Sequence, residues 1–242
     1  MADGPPSRTA AMVGVGPGLG RGVAEALAAD GFAVGLFARS RARIEEMAAE
    51  TGPNCRAYHM DATDDASVRR ALDAFRNDTK NHIDVLVYNC GARRLRPYGV
   101  EETWAETFKR FWEINCFGAF LCARNVFPEM KKNGGGCIIF TGATASVRGS
   151  AGRSDFSPGK FGLRSLAQTL NAEGTAHNMS GIHVVHVIID GPVDMPLIRS
   201  ATGRTSDQLI SPDRVGKLYC HLVNQPPTCW AHEIDVHIPA KL

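Results

Sequence analysis

No apolar run in this 242-residue chain approaches the roughly 20 residues that a membrane-crossing helix needs. The opening, MADGPPSRT, has no apolar segment of the kind a secretory leader carries, so residues 1–8 are expected to form a disordered tail. No membrane association is expected. Nor does one charge dominate: 27 Lys and Arg stand against 25 Asp and Glu, which removes the basic field that nucleic acid or an acidic bilayer surface would require. The seven cysteines, at 55, 90, 116, 122, 137, 220 and 229, include no CxxC pair and no Cys/His metal spacing. Free thiols in a reducing compartment are expected, with no bound metal. His183 and His186 are three apart on one predicted strand and therefore point to opposite faces. The chain also lacks linkers, repeats and low-complexity tracts, so one domain over residues 1–242 is expected.

Strand-like apolar runs alternate with helix-period segments from end to end. The runs are Ala10–Val13, Phe32–Ala38, Cys55–Met60, Ile83–Asn89, Cys137–Thr141, Ile182–Ile189 and Ile234–Ile238. Between them Ile44/Met47/Ala48, Val68/Leu72/Phe75, Phe108/Phe111/Trp112 and Leu163/Leu166/Leu170 recur at helical spacing, and these faces are expected to cover the sheet. Ser211-Pro212 marks the start of the last helix. This alternation predicts an α/β fold, a Rossmann-type doubly wound sheet of about seven parallel strands with helices on both faces. Ligands of such sheets bind beyond the carboxyl ends of the strands. That rule gathers the loops after 13, 38, 60, 89, 141 and 189 on one edge.

Gly14, Gly18 and Gly20 lie between the first strand and the helix beginning Leu19, Val23, Leu27. Glycines there allow a tight turn, admit a diphosphate against the backbone and aim the helix N-terminus at it. The loop does not fit the strict G-x-G-x-x-G fingerprint, and it suits either the GxGxG of a methyltransferase or the G-x-x-x-G-x-G of other dinucleotide binders. The second strand ends Phe37-Ala38-Arg39 without the carboxylate that would accept free ribose hydroxyls. A guanidinium at that place pairs bidentately with a 2′-phosphate, favouring NADP(H) over NAD(H) and over a methyl donor. The competing reading is that Arg39, beside Arg41 and Arg43, solvates a helix start.

With these residues in order, the chain resembles the short-chain dehydrogenase/reductase family over nearly its full length. Gly14-x-x-x-Gly18-x-Gly20 matches that family's glycine motif, and Asp61 stands where its members bond the adenine. Tyr88-Asn89-Cys90-Gly91 is similar to its N-N-A-G, and Asp190-Gly191-Pro192-Val193 to its P-G-x-V beside the nicotinamide. The resemblance implies cofactor contacts from Gly14, Gly18, Leu19, Gly20, Arg39, Asp61, Ala62, Asn89, Gly91, Lys160, Gly191 and Val193. It implies catalytic roles for Asn115 and Lys160, and a homodimer or homotetramer built on the helices around residues 103–131 and 155–176. A solvated helix lysine is the alternative for Lys160, and a backbone-bonded asparagine that kinks its helix is the alternative for Asn115.

The resemblance breaks at the family's Tyr-x-x-x-Lys, which here reads Phe156-Ser157-Pro158-Gly159-Lys160. Thirteen positions before Phe156, where members carry a serine, stands Ala143. A phenol made acidic by a neighbouring ammonium is suited to protonate the oxygen of a reduced carbonyl, and a phenyl ring is not. Ordinary carbonyl reduction is therefore not expected. Pro158 is tolerable if the helix begins near Ser154 or Asp155, and Met195 replaces the family's nicotinamide-contacting threonine. Thr141, Thr144, Asp155 and Ser157 are the nearby polar groups that can replace the donor, each also readable as a cap or loop group. Arg93, Arg94 and Arg96 are readable as a site for an anionic substrate or as a solvated loop, and residues 195–210 should cover the substrate. Two functions follow: an atypical NADP-dependent oxidoreductase, for which reduction of a conjugated C=C fits best, or a catalytically silent NADP-binding module. The ending Ala240-Lys241-Leu242 resembles a peroxisomal address, implying an import receptor as partner and the cytoplasm otherwise.

Overall fold

Alternation along each strand sends successive side chains to opposite faces, and the two faces are covered by different helices. The computed structural model describes residues 8–92, 96–175 and 181–238. The strands are β1 (Thr9–Val13), β2 (Ala33–Ala38), β3 (Cys55–His59), β4 (Val85–Tyr88), β5 (Gly135–Thr141), β6 (Gly181–Asp190) and β7 (Glu233–His237). All pair in parallel, in the order β3-β2-β1-β4-β5-β6-β7. The helices are α1 (Leu19–Ala29), α2 (Arg41–Thr51), α3 (Asp65–Thr79), α4 (Ala105–Trp112), α5 (Gly118–Lys132), α6 (Ser157–Thr175), α7 (Pro196–Thr202) and α8 (Pro212–Val223).

Ala11, Val13, Leu86 and Tyr88 face a core completed by α3, α5 and α6, whereas Ala10, Met12, Val85 and Val87 face one completed by α1, α2 and α8. Because strand order reverses direction between β1 and β4, the chain leaves these two neighbours to opposite sides and opens a crevice at their ends. Val13 pairs with both Phe37 and Tyr88, so the loops that follow emerge at one level. On the α1 side the packing is unusually close. A Cβ at Gly216 would stand 2.3 Å from the Gly22 carbonyl oxygen, and one at Gly22 would stand 2.5 Å from that of Pro212.

All seven expected strands form, with shifted ends. β4 begins at Val85 rather than Ile83, where the Asp84 carboxylate takes the Thr9 amide at 2.7 Å in place of a backbone carbonyl. α6 begins at Ser157 rather than near Ser154 or Asp155: the Arg153 carbonyl closes a turn by accepting from Phe156 N and Ser157 N, both at 3.0 Å, and Pro158 has no N–H with which to carry that turn on as a helix. Pro158 still falls in the first turn, where its missing N–H breaks no helical bond.

One expected face is corrected. α4 buries no residue, and Phe108 and Trp112, expected to cover the sheet, are exposed. The helix packs against α6 instead, outside the layer that touches the strands, and Trp112 stacks on Phe117 at 5.9 Å. Of the expected tail, Arg8 pairs with Asp30 at 3.1 Å and lies over the Phe32 ring, and residues 1–7 lie outside the described residues. Arg93, Arg94 and the Ala240-Lys241-Leu242 ending also lie outside them. Among the described residues no helix is long and apolar enough to cross a membrane.

Candidate active site

The loops after β1 to β4 enclose a cleft of about 520 Å³. Gly14 adopts φ +89°, and its carbonyl accepts from Asn89 Nδ2 at 2.9 Å, so the loops after β1 and β4 are tied together at the crevice. The N-terminus of α1 faces this cleft through Gly18, Leu19 and Gly20, with no acidic side chain in its first turn to compete for the positive end of the dipole. Arg39 and Arg43 form the wall beyond β2, both exposed, and neither has an ion pair or hydrogen bond among the described residues. Asp61 and Ala62 form the next stretch. Burial pushes the Asp61 carboxyl up, but the Thr63 amide at 2.9 Å and hydroxyl at 2.7 Å, with Arg110 and Arg39 near by, outweigh it and hold the carboxyl below its ordinary range.

Leu19, Gly91, Val193 and Met195 are shared with a second pocket of about 610 Å³, so the two form one continuous depression. Ala143, Phe156, Lys160 and Gly191 line this second part. The solvated reading of Lys160 is overturned, since the residue is 4% exposed and its Nζ donates to the Thr141 carbonyl at 2.9 Å. Burial pulls its ammonium down to about 8, partly opposed by the neighbouring Cys90 and Cys116 thiols. Asn115 lies outside both pockets, fully buried in a π-helical turn (Glu113–Phe117). Its side chain donates to the Ala92 carbonyl at 2.8 Å and the Phe111 carbonyl at 2.9 Å, so it fastens the loop after β4 to the start of α5.

None of the chain's four tyrosines lines either pocket. Tyr58 donates to Asp78, Tyr88 to the Ile114 carbonyl, Tyr219 pairs with Thr141, and Tyr98 lies exposed before α4. Of the alternative polar groups, Thr141 is engaged by Tyr219 at 2.9 Å and Thr144 donates to Asp190. Asp155 is buried at 4% exposure.

Behind the pocket runs a chain of bonds that the sequence did not reveal. Arg164 grips Glu233 through two bonds of 2.7 Å, and Glu233 accepts from His186 Nδ1 at 3.0 Å. His186 Nε2 then accepts from the Ser146 hydroxyl at 3.2 Å, and Ser146 Oγ accepts from the Ala143 amide at 3.1 Å. The buried imidazole is thereby held neutral, burial pushing its pKa down to about 4 despite the Glu233 carboxylate. A histidine whose folded pKa is depressed contributes stability that is complete above about pH 6.5 and is lost as the pH falls towards 4, on the order of 3 kcal/mol in all. Urea midpoints at pH 7 and pH 5 should show this fall, and His186→Gln should remove most of the slope. An unchanged slope in the variant would place the titration elsewhere.

Sequence reasoning also missed Arg43 and Arg110 beside the cleft, and Arg153 at the second pocket, because nothing local distinguishes them from surface charges. Residues 195–210 do cover that pocket, through Met195, Ile198, Thr202 and Arg204.

A family model described as short chain dehydrogenase matches residues 8–203. An uncharacterised oxidoreductase of Bacillus subtilis, YxbG, is 27% identical over 206 residues, which are 84% of this chain and 73% of that protein. A short-chain dehydrogenase structure from Rhodopseudomonas palustris superposes with a TM-score of 0.80 at 31% identity, covering 95% of this chain and 98% of its own. The 3-ketoacyl-(acyl-carrier-protein) reductase of Brucella melitensis, solved with NADH, has the same fold, with a TM-score of 0.85 at 24% identity and coverage of 96% and 98%. Sequence match and superposition extend through both halves of the sheet, and the chain belongs to the short-chain dehydrogenase family.

Proposed function

We propose that the cleft binds NADP(H) in preference to NAD(H), and that the chain is an oxidoreductase acting on a small molecule in the adjoining pocket without a phenol as proton donor. The observation that carries this reading is Lys160. It is a buried cation with one carbonyl partner and no carboxylate among the described residues, so two of its three donors remain for a ligand's hydroxyl groups. The cleft fits a dinucleotide, because the α1 N-terminus opens onto it and the turn that leads there is lined by Gly14, Gly16, Gly18 and Gly20, which put no side chain of their own in the way.

Gly14, Gly18, Leu19 and Gly20 would hold the diphosphate and Asp61 would bond the adenine, with Ala62 and Asn89 lining the same cleft. Gly91, Gly191 and Val193 lie where the cleft meets the pocket, beside Lys160. Arg39, joined by Arg43, would take a 2′-phosphate. NADPH, when bound, supplies a hydride. Reduction of a C=C conjugated to a carbonyl suits this pocket best, because Lys160 can stabilise the oxygen that gains charge while the final proton goes to carbon from water. Asn115 positions the loop after β4 and does not reach the substrate.

Titration with NADPH and NADH by fluorescence, followed by a screen of carbonyls, quinones and enoyl thioesters, tests the reading. Arg39→Ala should weaken NADPH binding by about tenfold or more and leave NADH binding unchanged. Equal losses for both would remove the preference for NADP(H). Binding without oxidation of NADPH by any of these substrates would favour the silent module, a reading that the missing hydroxyls at Phe156 and Ala143 support. Self-association belongs to the same proposal. Trp104, 75% exposed, and the exposed Phe108, Trp112, Phe120 and Phe161 on and near α4 to α6 support it.

A further inference from the structure

Met195 stands at the junction of the two pockets and lines both. Its side chain lies directly against the start of α1. A Cβ at Gly18 would stand 2.6 Å from Met195 Sδ and 3.1 Å from its Cγ, whereas one at Gly16, two residues earlier in the same turn, would meet nothing within 4 Å. The thioether therefore covers part of the helix end and leaves the turn before it open. Gly18 caps α1 without a side-chain bond, and the Leu19 and Gly20 amides that follow have no acceptor among the described residues. A thioether sulfur is a weak acceptor, so Met195 covers these donors without satisfying them. An anion at the same place would satisfy them, and the two cannot occupy it together.

Resting on the dinucleotide reading of the cleft, we infer that Met195 is a gate: its side chain takes part of the diphosphate's place, and the dinucleotide displaces it towards the second pocket, so that cofactor binds before substrate. The side chain has three rotatable bonds and can swing while the backbone keeps its bonds. Little holds it in place. Met195 is the N-cap of α7, where its carbonyl accepts from Ile198 N at 2.9 Å and Arg199 N at 3.0 Å, and α7 itself buries no residue, with Leu197 70% exposed. Ile198 and Thr202 of α7 line the second pocket beside Met195, so the displaced thioether enters space that a substrate shares. A substrate seated first would keep the thioether against Gly18 and oppose the dinucleotide, because each favours a different position of the same side chain.

The test uses the full chain with its methionine methyl groups isotopically labelled for NMR, and Met195→Leu identifies the Met195 signal by its loss. NADP+ should move that signal, and adenosine 2′-phosphate, which has the adenine end of the cofactor and no diphosphate, should not. By calorimetry, Met195→Ala should bind NADP+ about threefold or more tighter than the unmodified chain and adenosine 2′-phosphate equally well, because the cost of opening the gate is gone. Met195→Leu, which keeps a side chain of similar bulk, should bind NADP+ as the unmodified chain does. A Met195 signal that stays still at saturating NADP+, or Met195→Ala that binds NADP+ no tighter, would overturn the gate and leave the cofactor reading standing. Binding of NADP+ by neither the unmodified chain nor Met195→Ala would remove the cofactor reading and the gate with it.

Discussion

Phe156→Tyr combined with Ala143→Ser is expected to raise NADPH-dependent reduction of simple ketones and quinones by about 10²–10⁴-fold over the unmodified chain. That range is what a positioned general acid contributes, equivalent to about 3–5.5 kcal/mol of barrier. Phe156 and Ala143 line the same pocket as Lys160, four residues on from Phe156, so a hydroxyl added at each faces the space in which a carbonyl would sit. Phe156 is half-buried in the wall of an open pocket, and a phenolic oxygen can be added without displacing core side chains. The Lys160 ammonium would lower the phenol's pKa, so the gained rate should fall as the pH rises past about 8 and that charge is lost. The two hydroxyls act on one oxygen, and each single change should recover less than its share. NADPH oxidation followed at 340 nm measures the gain. A double variant that binds NADPH normally and gains nothing would mean that the pocket no longer presents a carbonyl to residue 156.

The alternation of strands and helices was legible because each element's apolar period is a local property. Its limits were less so, since a side chain such as Asp84 can intercept a backbone amide and shorten a strand. α4 illustrates a different limit: helical spacing marks an apolar face without saying what covers it, and Phe108 and Trp112 remain uncovered in the chain. The glycine-lined turn after β1 could be read from residue type and spacing. The contact of Gly22 with Gly216 could not, because it depends on two helices far apart in sequence. The same holds for His186, whose partners Ser146 and Glu233 are 40 and 47 residues away and are brought to it by the parallel order of β5, β6 and β7. For Lys160 the sequence left a solvated reading open beside the functional one. Its burial follows from Gly159, where a Cβ would approach Asn115 Cβ to 2.9 Å, so that α6 lies hard against the π-helical turn. Tertiary contact decided each of these features.

Gly14→Ala should destabilise the chain by about 3 kcal/mol or more and remove dinucleotide binding with it. Two effects add. At φ +89° an alanine is strained by its own Cβ, and that Cβ would stand 2.5 Å from Cys90 N and 2.8 Å from Asn89 C. Both atoms are backbone, so no rotamer change relieves the clash. The ends of β1 and β4 would have to separate, against the Asn89 amide bond to Val13 at 2.8 Å and the Asn89 side-chain bond to Gly14 at 2.9 Å. For a domain of this size a loss of 3 kcal/mol lowers Tm by roughly 6–12 °C. Gly16→Ala is the matched control, two residues away in the same loop. Its φ is not positive and a Cβ there meets nothing within 4 Å, so its stability should stay within about 0.5 kcal/mol of the unmodified chain. Thermal melts of both variants, with NADPH titrations at a temperature where both are folded, separate the consequences. If Gly14→Ala melted with Gly16→Ala, the crevice between β1 and β4 would have to be looser than these contacts allow, and the diphosphate site would lose its rigid floor.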